Sequence, residues 1–172
     1  SSALLSSTSE AVAAVPLLGA EAAPGTPANP SAPVRNPADL RDIVGYVTEA
    51  GMAEGEAALQ AAVNAAPIWQ ATPADVRAAA LERAAELMEA QMQSLMGIIV
   101  REAGKTFSNA IAEVREAVDF LRYYAAQVRA TFSGDTHRPL GPVVCISPWN
   151  FPLAIFTGQI AAALVAGNPV LA

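Results

Sequence analysis

Residues Gly141 to Ala172 read GPVVCISPWNFPLAIFTGQIAAALVAGNPVLA, and this stretch decides the fold class. "PVVCIS" is a short β-branched apolar run, the pattern of a strand buried on both faces. "PLAIFTGQIAAALVAG" has helix length and ends on Gly167, a C-terminal cap residue. "NPVLA" opens the next strand. Strand, helix and strand within about thirty residues form a parallel βαβ unit, because parallel strands need a crossover of this length. The fold class is therefore α/β with a doubly wound sheet.

Upstream, the period is helical. The first helix is expected over Met52–Ala66, apolar at Leu59, Ala62, Val63 and Ala66, and stopped by Pro67. The second opens at Thr72-Pro-Ala-Asp75, with Thr72 as N-cap, Pro73 at the first helical position and an acid beside the helix-start amides. Its apolar positions, from Val76 through Leu81, Leu87, Met88, Met92 and Leu95 to Ile99, run on to Gly104. The third carries the stripe Ile111, Val114, Val118, Leu121, Ala125 and Val128. Before them, "VRNPADLRDIVGYVTEAG" reads as a strand, an Asn-Pro-Ala-Asp turn and a strand over Ile43–Val47, hence a hairpin. Residues 1–33 are rich in Ala, Ser and Pro and read as a linker, and "APGTPANPSAP" is expected to hold neither helix nor ladder.

Composition narrows the function. The net charge of −6 and the lack of any Lys/Arg cluster exclude a nucleic-acid surface. A single cysteine, Cys145, excludes an internal disulfide and a multi-cysteine metal site, and fits a reducing cytoplasm. No apolar run approaches the ~20 residues of a membrane span, and the acidic N-terminus is unlike a signal peptide. A soluble, cytoplasmic protein is expected. Because the chain stops inside "NPVLA", it reads as a piece of a larger protein.

In an open parallel sheet, ligands bind beyond the carboxyl ends of the strands. Ser147-Pro-Trp-Asn-Phe-Pro152 occupies that position. Two prolines stiffen it, and Pro152 suits the first position of the following helix. The free amides of that helix end suit a diphosphate. Asn150 is a neutral amide donor on a stiff loop, fitted to a developing oxyanion. The same residues also serve as ordinary turn and cap chemistry, and no G-x-G-x-x-G follows the strand. From the residues alone, the reading ends at an α/β ligand site with a positioned asparagine.

Other residues have plainer readings. Cys145 sits inside a strand with no base beside it and reads as a core residue. "AGKT" at Ala103–Thr106 lacks the spacing and the preceding strand of a P-loop. His137 is a lone loop histidine. No metal-ligand set is present in the pattern.

"GPVVCISPWNFPLAIFTGQIAAALVAGNPVLA" closely resembles the first Rossmann strand, helix and strand of the aldehyde dehydrogenase superfamily. "NPADLRDIVGYVTEA" resembles that family's N-terminal hairpin and "EVREAVDFLRYYA" its third helix. More narrowly, "REAGKTFSNAIAEVREAVDFLRYYAAQVR" and "THRPLGPVVCISPWNFPLAIFTGQ" are similar to the L-glutamate-γ-semialdehyde (1-pyrroline-5-carboxylate) dehydrogenase modules of bifunctional proline-catabolic flavoproteins. The resemblance implies that residues 34–172 are the N-terminal part of an NAD-binding domain. FAD is then confined to an upstream proline dehydrogenase module. It further implies a small aldehyde as substrate and a homo-oligomeric whole protein. Residue by residue, Asn150 matches the asparagine that helps bind the thiohemiacetal oxyanion. Ile146, Ser147, Pro148 and Trp149 match the stretch along NAD, and Phe151 an aromatic beside the substrate's aliphatic chain. Glu116 matches a glutamate near the substrate's amino group; by its own spacing it reads only as a solvated helix face. The family's cysteine nucleophile and glutamate base have no counterpart in this chain.

Overall fold

The computed structural model describes residues 12–19, 21–22 and 29–172; the remainder of the expected linker lies outside the described residues. The chain divides into two units, Ser1–Ala61 with Gln93–Ala110, and Ala62–Met92 with Ile111–Ala172.

In the first unit, β1 (Val12–Ala14), β4 (Ala32–Asn36) and β5 (Asp39–Val47) form a sheet in the order β1-β5-β4. β4 and β5 are the expected antiparallel hairpin, with the register shifting around Arg35. Its turn is made by Asn36, whose Oδ1 accepts from the Ala38 amide at 2.9 Å while its Nδ2 donates to Asp42 at 3.0 Å. The ladder extends into residues read as linker. β1 runs parallel to β5, pairing Val12 with Gly45, and β2 (Leu17–Leu18) pairs antiparallel with β3 (Glu21–Ala22). Pro33 lies in β4, where the outer position of the strand tolerates a missing N–H. A three-residue strand has no sequence signature of its own, and it forms because β5 offers an open edge. Gly45 makes this possible: a Cβ there would run into the Val12 carbonyl.

Five helices follow: α1 (Met52–Ala71), α2 (Ala74–Ala90), α3 (Met92–Ala103), α4 (Phe107–Thr131) and α5 (Ala154–Val165). Three boundaries depart from expectation. α1 continues through Pro67. Beyond that proline, Trp69 Nε1 donates to the Leu164 carbonyl at 2.8 Å, a long-range bond that holds the last turn in place. Thr72 does not cap α2. Its hydroxyl donates back to the Ile68 carbonyl at 3.0 Å, and Pro73 is the N-cap. The long second helix is interrupted at Gln91, and only its second piece, α3, reaches Gly104. Within the first unit, α3 is tied to the hairpin by Arg101, which donates to Asp42 at 2.5 and 3.1 Å and to the Ile43 carbonyl at 3.2 Å.

The second unit holds the main core. α2 and α4 pack through Ala78, Leu81 and Ala85 against Val118, Leu121, Ala125 and Val128, joined by Ala161 and Val165 of α5. The small alanines allow close helix approach. Arg122 pairs with Glu89 and Arg129 with Glu82, so α4 runs antiparallel to α2. The α4 stripe is buried as expected except for Ile111, and Val76 and Leu87 of α2 are exposed.

β6 (Val143–Val144) and β7 (Val170–Leu171) are parallel neighbours joined through α5, the expected βαβ unit. α5 ends in a Schellman motif: the Gly167 amide donates to Leu164, the Asn168 amide to Ala163, and Gly167 takes φ +96°. Asn168 then ties the crossover to the start of β6, its Oδ1 accepting from Leu140 and Gly141 at 2.6 and 3.1 Å. Burial of β6 on both faces is not observed. Cys145 beyond it is buried, but Val144 is 66% exposed, so only one face of this strand is covered within the chain.

Candidate functional site

The loop after β6 begins where Cys145 N donates to the Leu171 carbonyl at 2.8 Å, the last ladder bond to β7. Ile146 N then donates to Gln159 Oε1 on α5 at 3.1 Å. Next comes a β-turn, with Phe151 N donating to the Pro148 carbonyl at 3.2 Å. Asn150 sits at its third position, exposed, with Trp149 beside it 86% exposed. Prolines at 148 and 152 restrict the chain on either side of this turn. The amide of Asn150 is thus carried by a short hydrogen-bonded turn at the carboxyl end of a parallel strand.

The downstream end differs from the sequence expectation. Pro152 is not the first helical residue. It lies in the turn, Leu153 is the N-cap, and the helix starts at Ala154. Leucine has no side-chain acceptor, so the cap comes from elsewhere. Glu113 Oε2, on α4, accepts from Leu153 N at 3.3 Å and from Ala154 N at 2.9 Å. Glu113 is 3% exposed. Two of the amides expected to be free for a diphosphate, those of Leu153 and Ala154, are therefore already satisfied by a buried carboxyl group. Glu113 was legible in principle: it lies three and four residues from Ala110 and Ala117, inside the apolar stripe of α4. A carboxyl group in such a stripe needs a buried partner.

Glu116 lies one turn further along α4 and is exposed, as its spacing suggested. Residues three apart on a helix have Cβ atoms about 5–6 Å apart, so Glu113 links the turn that carries Glu116 to the loop that carries Asn150. Phe120, another turn on, packs its ring at α5 against Gly158. Ser147 and Pro148 are half-buried, and Phe151 is 40% exposed.

Ile146, 77% exposed, lines an open groove of about 570 Å³ together with Val144, Gln159 and Ala162. For a dinucleotide such as NAD, the donor set is mixed. The exposed faces of Ile146 and Trp149 suit flat, apolar ring surfaces, whereas at the α5 end Glu113 already takes the Leu153 and Ala154 amides that a diphosphate would use. Cys145 is buried, and burial pushes its thiol pKa up, which is the behaviour of a core residue. His137 stacks on Phe132 with ring centroids 4.2 Å apart and bonds Thr136, and Ala103–Thr106 simply joins α3 to α4. Among the described residues, no helix is long and apolar enough to cross a membrane.

The comparisons with known proteins agree with this architecture. Residues 26–172 match the model of the aldehyde dehydrogenase family. The chain is 69% identical over its whole length to the bifunctional protein PutA of Escherichia coli, of which it covers 13%. It is 40% identical, over 79% of its length, to 1-pyrroline-5-carboxylate dehydrogenase of Anoxybacillus flavithermus, of which it covers 29%. A crystal structure of 1-pyrroline-5-carboxylate dehydrogenase from Thermus with bound NAD superposes with a TM-score of 0.87 at 34% identity, covering 98% of this chain and 35% of that one. The chain thus spans about an eighth of the PutA relative and under a third of the dedicated dehydrogenase. On the family match and on its βαβ fold, the chain belongs to the aldehyde dehydrogenase family.

Proposed function

We propose that this chain supplies the oxyanion-binding asparagine and part of the cofactor face of an NAD-dependent dehydrogenase acting in proline catabolism. Its substrate is L-glutamate γ-semialdehyde, the open form of 1-pyrroline-5-carboxylate, and its product is L-glutamate. The aldehyde, water and NAD⁺ become the carboxylate, NADH and two protons. The observation that most directly supports this reading is the Pro148–Phe151 turn, which carries Asn150, exposed, beyond the carboxyl end of β6.

In this mechanism a thiolate adds to the aldehyde carbon, and negative charge grows on the aldehyde oxygen. Asn150 Nδ2–H donates to that oxygen, and the stiff turn lets it do so without reorganising. NAD, when bound, takes the hydride. Ile146, Ser147, Pro148 and Trp149 lie along it, Phe151 borders the substrate's aliphatic part, and Glu116 faces the substrate's amino group. The nucleophile and the general base that hydrolyses the thioester come from outside this chain, since its one cysteine is buried. We further propose that residues 34–172 are the N-terminal part of the NAD-binding domain, and that the whole protein is a cytoplasmic homo-oligomer.

The test is NADH formation from glutamate semialdehyde by the full-length protein that carries this chain. Asn150→Ala is expected to lower kcat roughly a hundredfold or more. Unchanged kcat, or equal turnover of unrelated aliphatic aldehydes, would overturn the assignment.

A further inference from the structure

We propose that Glu113 is a positioning residue for Asn150. Its buried carboxyl group sets where the oxyanion donor stands by clamping the far end of the loop that carries it. The inference rests on the reading of Asn150 as the oxyanion donor and deepens it.

The loop is held at both ends by side chains rather than by its own sequence. Upstream, Gln159 accepts from Ile146 N at 3.1 Å. Downstream, Glu113 Oε2 accepts from two successive amides, Leu153 and Ala154, at 3.3 and 2.9 Å. Only Pro152 and the closing residue of the turn, Phe151, separate Asn150 from Leu153, and proline removes one backbone rotation from that short path. Between the clamps, the Phe151–Pro148 bond closes the turn. Little freedom is left, so a shift of the Leu153–Ala154 anchor must move the Asn150 amide with it.

The local sequence cannot supply this cap. Helix N-termini leave their first amides without helical partners, and the usual remedy is an acceptor at the N-cap. Here the N-cap is Leu153, which makes no side-chain capping bond. The acceptor comes instead from α4, forty-one residues before Ala154. A cap from another helix does what a local one cannot, because it ties the register of the loop to α4. The next turn of α4 carries Glu116, the residue assigned to the substrate's amino end. Glu113 therefore fixes the oxyanion donor and the substrate-side carboxylate in one frame. At 3% exposure it cannot itself meet a diffusing substrate, which is why its role is positional. Displacements of about 1 Å at a reacting centre cost on the order of a hundredfold in rate.

The test is a double-mutant cycle in the full-length enzyme, with kcat expressed per titrated active site and thermal unfolding measured in parallel. Glu113→Ala is expected to lower kcat about tenfold or more, with KM for NAD changed less than about threefold. In the Asn150→Ala background the same change is expected to cost less than about threefold, because the group it positions is gone. Equal losses in both backgrounds would overturn the proposal. So would a lowered unfolding temperature with unchanged kcat per site, which marks a purely structural cap. Should Glu113→Ala not fold, Glu113→Gln keeps an acceptor oxygen and is expected to cost about threefold, again only when Asn150 is present. Faster amide exchange in the Trp149–Phe156 segment should accompany that loss, and unchanged exchange would refute the clamp. If Asn150→Ala is as active as the parent, the reading of Asn150 itself has failed, and that result is distinct from the failure of Glu113.

Discussion

Removing Arg77 should cost the second unit more stability than its surface ion pairs suggest. Arg77 is 6% exposed, and its guanidinium is bonded to carbonyl groups at the ends of two helices. Nε donates to Val165 at the end of α5 at 2.9 Å, and Nη1 donates to Thr72 just beyond α1 and, at 3.5 Å, to Trp69. Helix C-termini present unpaired carbonyls with partial negative charge, so a cation is the natural partner for both. A hydrogen bond to a charged group contributes about 1.5–3 kcal/mol. The Val165 bond is buried and keeps its full value, whereas Thr72 is half-buried and water can partly replace its partner. Arg77→Ala should therefore cost about 3–4 kcal/mol, a large share of the ~5–15 kcal/mol of a folded domain. Arg77→Met keeps the packed stem but orphans the carbonyls, and should fall within about 1 kcal/mol of the alanine variant. Arg77→Lys, with charge but without the fork, should lie between them and the parent. Equilibrium urea unfolding followed by circular dichroism measures all three, provided the slopes match. An Arg77→Met variant as stable as the parent would refute the argument, since packing rather than carbonyl capping would then explain the burial.

Two smaller perturbations check other contacts. Gly158→Ala adds a helix-favouring methyl group, which alone should gain about 1 kcal/mol. Its Cβ would stand 2.9–3.1 Å from three ring carbons of Phe120, however, and overpacking costs about 1–3 kcal/mol. The unfolding midpoint should therefore fall and then recover when Phe120→Leu is added; a raised midpoint for the single variant would count against the contact. Asp42, bonded by Arg101 and Asn36, has its pKa lowered from 3.8 to about 2. Its folded value lies below its unfolded one, so its contribution is present above about pH 4 and is lost as the pH falls toward 2. Carboxyl titration by NMR should give a midpoint near that value, and Asp42→Asn should flatten this part of the acid-unfolding profile. A midpoint near 3.8 would show that the Arg101 pair does not persist in solution.

The loop around Asn150 was legible because its signals are local. A β-branched run, two prolines and a helix-length apolar segment ending in glycine are each dictated by backbone sterics, and together they specify a strand–loop–helix junction. The same holds for the Asn36 turn, whose side chain bonds its own backbone two residues on, and for the α4 stripe. Glu116 is different. Nothing in its spacing separates it from the other exposed acids of α4, and the role proposed for it rests on family resemblance.

Several departures from the sequence reading trace to a contact that local pattern does not show. Pro67 should end α1 on local grounds, yet the helix continues where Trp69 finds the Leu164 carbonyl ninety-five residues away. Thr72 has the composition of an N-cap but bonds backwards to the helix it follows. Val12–Ala14 becomes a strand only because β5 presents an edge and Gly45 leaves room beside it. The Leu153 and Ala154 amides, without a local side-chain cap, are closed by a carboxyl group from α4. The amino-acid sequence by itself determined the β4–β5 hairpin, the βαβ unit and the stiff loop with its asparagine, because those follow from periodicity and φ/ψ limits acting within a few residues. The tertiary structure alone decided which polar groups satisfy which, and so where the helices end and what holds the loop, because every buried donor needs an acceptor and the nearest one in space need not be near in sequence.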